Sequence, residues 1–270
     1  IPFLPISFFK SHDVETRPDN TKIFLSSGTG GNRSKHLVQD ISIYEKSITA
    51  HFNHRFGDFT HYVHLALVPN YLEQGDSSLI HQINYFIENG DSEGGFYLYN
   101  FDELFQKLSQ LKEKNKPVIL WGVTFALLDF IKEHTLSSSN LTIIETGGMK
   151  GRGKELIREE LHTRLQKSFP ESIISSEYGM TELFSQAYWN PISKVFNSHL
   201  SLSVFCRPVN DPLGNLDNNK HGALNIMDLN NWSTCSFIAS EDLGICLDGG
   251  FQVLGRMDHS ETRGCSLMYV

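Results

Sequence analysis

Between residues 21 and 179, short apolar runs rich in β-branched side chains alternate with longer stretches of helical periodicity. The pattern predicts strands at residues 23–25, 62–68, 96–99, 118–121, 141–144 and 172–175, and helices at residues 41–56, 78–88, 101–114, 125–134 and 153–169. Such alternation predicts an α/β fold with a doubly wound, mostly parallel sheet that carries helices on both faces. Ligands of such sheets bind in the loops at the carboxyl ends of the strands.

The pattern of apolar residues changes after about residue 191, where helical periodicity is lost. Short strands separated by Asn, Asp and Gly turns are expected at residues 200–206, 223–228, 236–239, 245–247, 251–254 and 265–270. We therefore predict two parts: an α/β part over residues 1–190 and a smaller β-rich subdomain over residues 191–270.

A glycine-rich loop follows the first predicted strand, with the sequence Ser26-Ser27-Gly28-Thr29-Gly30-Gly31-Asn32-Arg33-Ser34-Lys35. Glycines let backbone N–H groups approach phosphate oxygens, and a lysine adds a mobile positive charge. The spacing Gly-x-x-x-x-Gly-Lys-Ser/Thr does not occur at this loop, which disfavours a conventional phosphate-loop kinase. The turn at Gly147-Gly148 and the segment from Glu177 to Glu182 also follow predicted strands, so all three are expected on one rim of the sheet.

In this order, these segments resemble the adenylate-forming superfamily, which activates carboxylates with ATP. The glycine-rich loop ending in Lys35 resembles its phosphate loop, and Tyr178-Gly179-Met180-Thr181-Glu182 resembles its Tyr-Gly-x-Thr-Glu segment. Asp242 stands in a Gly-Asp-Leu-like context, and Gly255-Arg256-Met257-Asp258 resembles a Gly-Arg-x-Asp segment. The opening residues 3–10, the Ser-Ser-Gly-Thr-Gly-Gly loop and residues 263–267 resemble the acyl-protein synthetases of bacterial bioluminescence operons most closely.

The resemblance implies a role for each motif. ATP and Mg²⁺ would be used, with Glu182 holding the metal and Thr181 contacting the α-phosphate. Asp242 would accept hydrogen bonds from the ribose hydroxyls. The following residues would bind the rest of the nucleotide: Ser26, Ser27, Gly28, Thr29, Gly30, Gly31, Gly147, Gly148, Glu177, Tyr178, Gly179 and Arg256.

Each of these assignments has a structural alternative. Glu182 and Thr181 could be an acid and a cap at a helix N-terminus. Asp242 could be a turn residue, and Arg256 could form a surface ion pair. The two glycines could simply form a tight turn, which is compatible with a place beside adenine. The spacing of Asp242 and Arg256, 256 − 242 = 14 positions, suits two strands and a turn.

Cys265 is a candidate acyl acceptor, because the resemblance implies that a C-terminal cysteine takes the acyl group as a thioester. A thiolate is the required nucleophile, and Arg263 or His259 could lower its pKa. The alternative is a buried strand cysteine. No pair of the four cysteines has Cys-x-x-Cys spacing, which disfavours a zinc site, and packing roles are expected for Cys206, Cys235 and Cys246.

Composition limits the partners. A net charge of −8 argues against a nucleic-acid-binding protein, and no apolar run is long enough to span a bilayer. A fatty acid or another carboxylic acid is the expected substrate, with a reductase or carrier protein as a possible acyl acceptor, in the cytoplasm. The chain opens at Ile1 and ends at Val270, so we expect a missing N-terminal segment and no lid domain with its adenylation lysine; Lys35 would then share that charge.

Two other functions stay open at this point. An acid–CoA ligase of the same superfamily would need no essential cysteine. A nucleotide-binding scaffold without chemistry would keep the pocket alone.

Overall fold

The computed structural model describes residues 1–27, 33–69, 75–148 and 156–257. Its strands are β1 Leu4–Pro5, β2 Lys22–Leu25, β3 Lys35–Val38, β4 Val63–Leu67, β5 Gly95–Tyr97, β6 Val118–Gly122, β7 Leu141–Glu145, β8 Ile173–Tyr178, β9 Ala187–Asn190, β10 Val195–Ser198, β11 Leu202–Arg207, β12 His221–Asp228, β13 Phe237–Leu247 and β14 Gly250–Arg256. Its α-helices are α1 Phe8–Ser11, α2 Ile41–Phe56, α3 Ser78–Asn89, α4 Phe101–Glu113, α5 Thr124–Phe130 and α6 Arg158–Ser168. Short 3₁₀ turns lie at Phe59–His61 and Leu229–Asn231.

The parallel part of the main sheet has the strand order β5-β4-β6-β7-β8. Every residue of β4, β6 and β7 is buried, as expected for parallel strands covered on both faces. The predicted strands and helices of this region are confirmed, and α2 has the predicted bounds, but α5 ends four residues before its predicted end and α6 begins at Arg158 rather than at residue 153. Asp40 caps α2 by accepting a hydrogen bond from the Ser42 N–H, and Ser77 caps α3 in the same way through the Ile80 N–H.

The other part of the main sheet is antiparallel and continues from β8 in the order β9-β10-β14-β13-β12-β11. The sheet is therefore mixed, and the expectation of a mostly parallel sheet holds only for the first part. Strands β9 and β10 were not predicted from the sequence. The two strands predicted at residues 236–239 and 245–247 form one long strand, β13, with a register irregularity beside Leu243. The doubly wound arrangement, with helices on both faces, stays a prediction.

The hairpin formed by β2 and β3 corrects one expectation. Residues 23–25 do form a strand, but β2 pairs antiparallel with β3 in a separate two-stranded sheet, with Leu25 opposite Lys35. The glycine-rich loop therefore connects two strands of a hairpin, whereas the alternation predicted a strand of the parallel sheet.

Two apolar cores lie along the main sheet. The larger core packs α2, α3, α5 and the parallel strands around fully buried Phe52, Phe86 and Trp121. The smaller core gathers the antiparallel strands around Phe196 and Phe251, and it includes Phe9 of α1. The division at residues 190 and 191 stays a prediction; it falls between β9 and β10, inside one continuous sheet. Within the described residues, no helix combines the length and apolarity needed to cross a membrane.

Candidate active site

A cavity of about 450 Å³ opens where the β2–β3 hairpin, the carboxyl end of β8 and the β13–β14 hairpin meet. That volume lies within the range of small-molecule sites in proteins. Eight residues predicted from the sequence line it: Ser26, Ser27, Glu177, Gly179, Thr181, Glu182, Asp242 and Arg256. The expectation that distant segments converge on one rim is met for these residues, although they come from two different sheets.

The hairpin side of the cavity is closed by hydrogen bonds across the two ends of the glycine-rich loop. The Ser34 N–H donates to the Ser26 hydroxyl at 2.9 Å, and the Ser26 N–H donates to the Ser34 carbonyl at 3.0 Å. The Arg33 guanidinium donates to the carbonyls of Leu25 and Ser26. These bonds hold Ser26 and Ser27 at the cavity wall. The predicted phosphate-loop residues Gly28, Thr29, Gly30 and Gly31 lie outside the described residues.

The turn after β7 needs its glycines. Gly147 and Gly148 have φ angles of +80° and +91°, a region that side chains with a Cβ disfavour. The Gly147 N–H donates to the buried Glu145 carboxylate at 2.7 Å, and the Gly147 carbonyl accepts from the Thr124 N–H. A tight turn is therefore confirmed here. Neither glycine lines the cavity, but the preceding Thr146 does.

Asp242 is the centre of a polar group on another wall of the cavity, in which Asp242 and Tyr178 are buried and the Arg256 side chain is exposed. Asp242 is 6% exposed, accepts a hydrogen bond from the Tyr178 hydroxyl at 2.8 Å, and pairs with the Arg256 Nε at 3.2 Å. Asp242 and Arg256 stand opposite each other in the β13–β14 hairpin, which confirms the two strands and turn expected from their spacing. Burial, followed by the nearby Asp242 carboxylate, raises the pKa of Tyr178. The Tyr178 ring packs against Phe196 and Phe251 and does not line the cavity.

The segment from Gly179 to Gln186 connects β8 to β9 as a series of turns. It contains no helix, so the helix-terminus alternatives for Thr181 and Glu182 are wrong. Glu182 is 5% exposed, and burial raises the pKa of its carboxyl although a hydrogen bond from Ser34 and the charges of Arg256 and Lys10 oppose that rise. A buried carboxyl that needs nearby cations to stay charged is suited to a cationic ligand.

Three buried side chains fix the backbone of this segment. His36 lies 2.6 Å from the Thr181 carbonyl through its Nδ1, which must carry the proton because a carbonyl only accepts. The Asn231 amide donates to the Glu182 carbonyl at 2.8 Å. Asp228 accepts from the backbone N–H groups of Phe184 and Ser185 at 2.8 and 2.9 Å, and from the Ser185 hydroxyl at 2.7 Å. Burial lowers the pKa of His36 to about 4, so its imidazole is neutral near pH 7.

One end of the cavity is built around Glu177. Gln82 donates to Glu177 Oε1 at 3.1 Å, while Glu177 Oε2 is buried without a hydrogen-bond partner among the described residues. Burial, opposed by Gln82 and assisted by the charge of Glu145, raises the pKa of Glu177 to about 7. The Gln186 Oε1, on a second residue that lines the cavity, is also buried and unpartnered in the described part of the chain. This end therefore offers hydrogen-bond acceptors to a ligand.

Lys35, expected to act on the phosphates, lies in β3 and does not line the cavity. Its ammonium group forms an ion pair with Asp13, and both side chains are partly exposed. Cys265 lies outside the described residues. Cys206 and Cys246 are buried with their sulfurs 3.3 Å apart, in keeping with the expected packing role, and no cluster of metal-ligating side chains occurs in residues 1–27, 33–69, 75–148 and 156–257.

Several cavity residues were missed from the sequence: Lys10, Ser34, Tyr44, Ser77, Ser78, Gln82, Thr146, Gln186, Ser240 and Glu241. Half of them lie inside helices or strands, and the other half stand at or next to the ends of elements. Gln82 illustrates the difficulty, because it is a polar residue on the buried side of α3. The sequence offered one indication that Gln82 lines a site, namely a polar residue within the predicted apolar face of a helix.

The fold is that of the adenylate-forming enzymes. ATP-bound MatB from Rhodopseudomonas palustris matches with a TM-score of 0.63 at 15% identity, over 89% of this chain and 49% of that chain. A long-chain-fatty-acid-CoA ligase, FadD1 from Archaeoglobus fulgidus, matches with a TM-score of 0.63 at 14% identity, over 89% of this chain and 52% of that chain. The chain thus spans about half the length of these enzymes.

The N-terminal subdomain of NpsA from Klebsiella oxytoca, solved in complex with 3-hydroxybenzoyl-AMSN, matches with a TM-score of 0.58 at 11% identity, over 87% of this chain and 63% of that chain. No curated protein sequence matches. The family model described as acyl-protein synthetase, LuxE, matches residues 75–269, and the chain belongs to this family.

Proposed function

We propose that the chain is an ATP-dependent acyl-protein synthetase, which activates a fatty acid as an acyl-adenylate and transfers the acyl group to a cysteine thiol. The observation that carries this proposal is the convergence of Ser26 and Ser27, Thr181 and Glu182, and the Tyr178–Asp242–Arg256 group around one cavity. Family membership supports the acyl-protein synthetase activity. The reaction needs ATP and a reduced thiol, conditions that the cytoplasm provides.

In this proposal, different parts of the nucleotide contact separate walls of the cavity. Asp242 would accept both ribose hydroxyls, with Arg256 holding its carboxylate in place. Gly147, Gly148 and Tyr178 do not line the cavity, so the adenine would instead contact Thr146, which lines it and precedes the turn that the two glycines form. Ser26, Ser27 and residues 28–31 would donate hydrogen bonds to the phosphates, and Thr181 would contact the α-phosphate. Glu177 and Gly179 complete the wall next to the base.

The chemistry then follows from orientation. A carboxylate oxygen of the fatty acid attacks the α-phosphorus of ATP, the bond to the pyrophosphate oxygen breaks, and acyl-AMP forms. The walls hold two anions in contact and offset their charge, which would otherwise keep them apart. In the second step the thiolate of Cys265 attacks the acyl carbon, and AMP leaves with the electrons of the broken C–O bond.

Mg²⁺ fits this site through one protein carboxylate. It commonly binds through one or two carboxylates together with substrate phosphates. Glu182, buried and raised in pKa, is the described carboxylate that would hold it, and the metal would offset phosphate charge.

The test is a pair of assays on the purified protein with a radiolabelled fatty acid. Exchange of pyrophosphate into ATP that depends on the fatty acid would support adenylate formation. A protein-bound label released by hydroxylamine and lost in Cys265→Ala would support the acyl thioester, with Cys235→Ala as the matched control. Product that forms only with CoA would favour an acid–CoA ligase, and absence of exchange with every acid would favour a scaffold without chemistry.

A further inference from the structure

Four cationic side chains of the described residues lie at or beside the cavity, and three of them are already engaged. Arg33 donates to the carbonyls of Leu25 and Ser26, Lys35 is paired with Asp13, and Arg256 is paired with Asp242. A triphosphate carries about four negative charges. A site with few free cations therefore binds it poorly. The fourth side chain, Lys10, therefore becomes important.

Lys10 lies in α1 and lines the cavity. It forms no ion pair with a carboxylate among the described residues, and its charge acts on Glu182, lowering the pKa of that buried carboxyl against the effect of burial. Its side chain is exposed, so the ammonium group can move to meet a ligand. Lysine carries such a point charge on a flexible stem.

The backbone beneath Lys10 is firmly held. Phe9, its neighbour, is fully buried and makes an edge contact with His36, with ring centroids 6.0 Å apart. Upstream, β1 pairs with β13, the strand that carries Asp242, and the Ile6 N–H donates to the Ala239 carbonyl at 3.0 Å. The segment 4–10 thus connects the Asp242 wall of the cavity to its Glu182 wall.

We propose that Lys10 binds the polyphosphate chain of ATP, and so supplies the positive charge that the sequence assigned to Lys35. This proposal rests on the proposed function and names a catalytic residue for it. Lys10 shares the cavity wall with Glu182, Ser26 and Ser27, the residues to which phosphate roles were assigned. The ammonium group stabilises the pyrophosphate as it leaves, while Asp242 holds the ribose at the opposite wall.

The test compares nucleotide affinities of Lys10→Met and Lys10→Arg, with Lys132→Met, at an exposed lysine shortly after the end of α5, as the matched control. Dissociation constants for ATP, pyrophosphate and AMP are measured by calorimetry with Mg²⁺ present, and pyrophosphate exchange gives kcat and KM. In Lys10→Met we expect ATP and pyrophosphate to bind about 10- to 100-fold more weakly, because the substitution removes one charge-assisted hydrogen bond to the phosphates. AMP binding should change less than about twofold, and Lys10→Arg should restore most of the ATP affinity.

The outcomes separate the two proposals. Equal ATP affinity in the unsubstituted protein and in Lys10→Met would overturn the role of Lys10 and leave the proposed function standing. Loss of ATP affinity in Lys35→Met, with none in Lys10→Met, would return the charge to Lys35. An unsubstituted protein that binds neither ATP nor AMP would overturn the proposed function together with the role of Lys10.

Discussion

Glu177 is the clearest place to test the electrostatics of the cavity. Its carboxyl is buried with one unpartnered oxygen within the described structure, and burial raises its pKa from 4.5 to about 7. At 1.36 kcal/mol for each pKa unit, that change corresponds to roughly 3 kcal/mol of unfolding free energy. We expect Glu177→Gln to remove this dependence, because the amide has the same shape, keeps an acceptor for Gln82 and cannot ionise.

The sign follows from proton linkage. Between pH 4.5 and about 7 the folded protein holds a proton on Glu177 that the unfolded chain releases, so this carboxyl destabilises the fold progressively as the pH rises. Above the pKa that Glu177 has in the folded protein, the full loss of unfolding free energy is present. Glu177→Gln should therefore match the parent protein near pH 4.5 and exceed its unfolding free energy by about 3 kcal/mol near pH 8.

The assay is urea unfolding followed by circular dichroism at several pH values, for the parent protein and Glu177→Gln. The difference between the two curves isolates one carboxyl from every other titrating group. Glu113→Gln, at the exposed end of α4, is the matched control and should leave a difference near zero. Parallel curves for the parent and Glu177→Gln would refute the argument that burial governs Glu177.

Three further results are expected. Tyr178→Phe removes the donor to Asp242 and should weaken AMP binding by about tenfold in calorimetry, whereas unchanged affinity would argue against a ribose role for Asp242. Asp228→Asn leaves buried donors of the 179–186 segment unpaired and should lower the unfolding free energy by about 2–4 kcal/mol in urea, with exposed Asp217→Asn as control. Burial lowers the pKa of four imidazoles to about 4, those of His36, His51, His64 and His162. The unfolding free energy should therefore fall as the pH drops from 6.5 towards 4, and a urea midpoint that does not change with pH in this interval would contradict the argument.

The sequence predicted those features that depend on local periodicity. Helix α2 begins and ends where the apolar spacing indicated, because an Asp cap precedes it and glycine follows it. The spacing of Asp242 and Arg256 likewise encodes a hairpin, since two paired strands and a turn are local events.

The features that depend on long-range pairing could not be predicted in this way. A single apolar run such as residues 22–25 does not indicate which strand it pairs with, so the hairpin with residues 35–38 was not predicted. The availability of the Lys35 charge to a ligand was overestimated for a similar reason, because its ion-pair partner Asp13 lies 22 positions earlier in the chain. Lys10 was overlooked because its place at the cavity depends on β1 joining β13, more than 200 positions away.

The position of the cavity follows from the change of strand direction between β8 and β9. Parallel pairing ends at β8, so the segment 179–186 leaves the sheet at a carboxyl end, where open α/β sheets bind ligands. That segment has no helix of its own to shape it, and it depends on His36 from the hairpin, on Asp228 at the end of β12 and on Asn231 in the turn that follows. Thr181 and Glu182 can therefore take their places only when both parts of the sheet and the separate hairpin are folded. Because a ligand bound only by the folded state stabilises it by RT ln(1 + [L]/Kd), a nucleotide in this cavity should raise the unfolding midpoint of the parallel and antiparallel parts together.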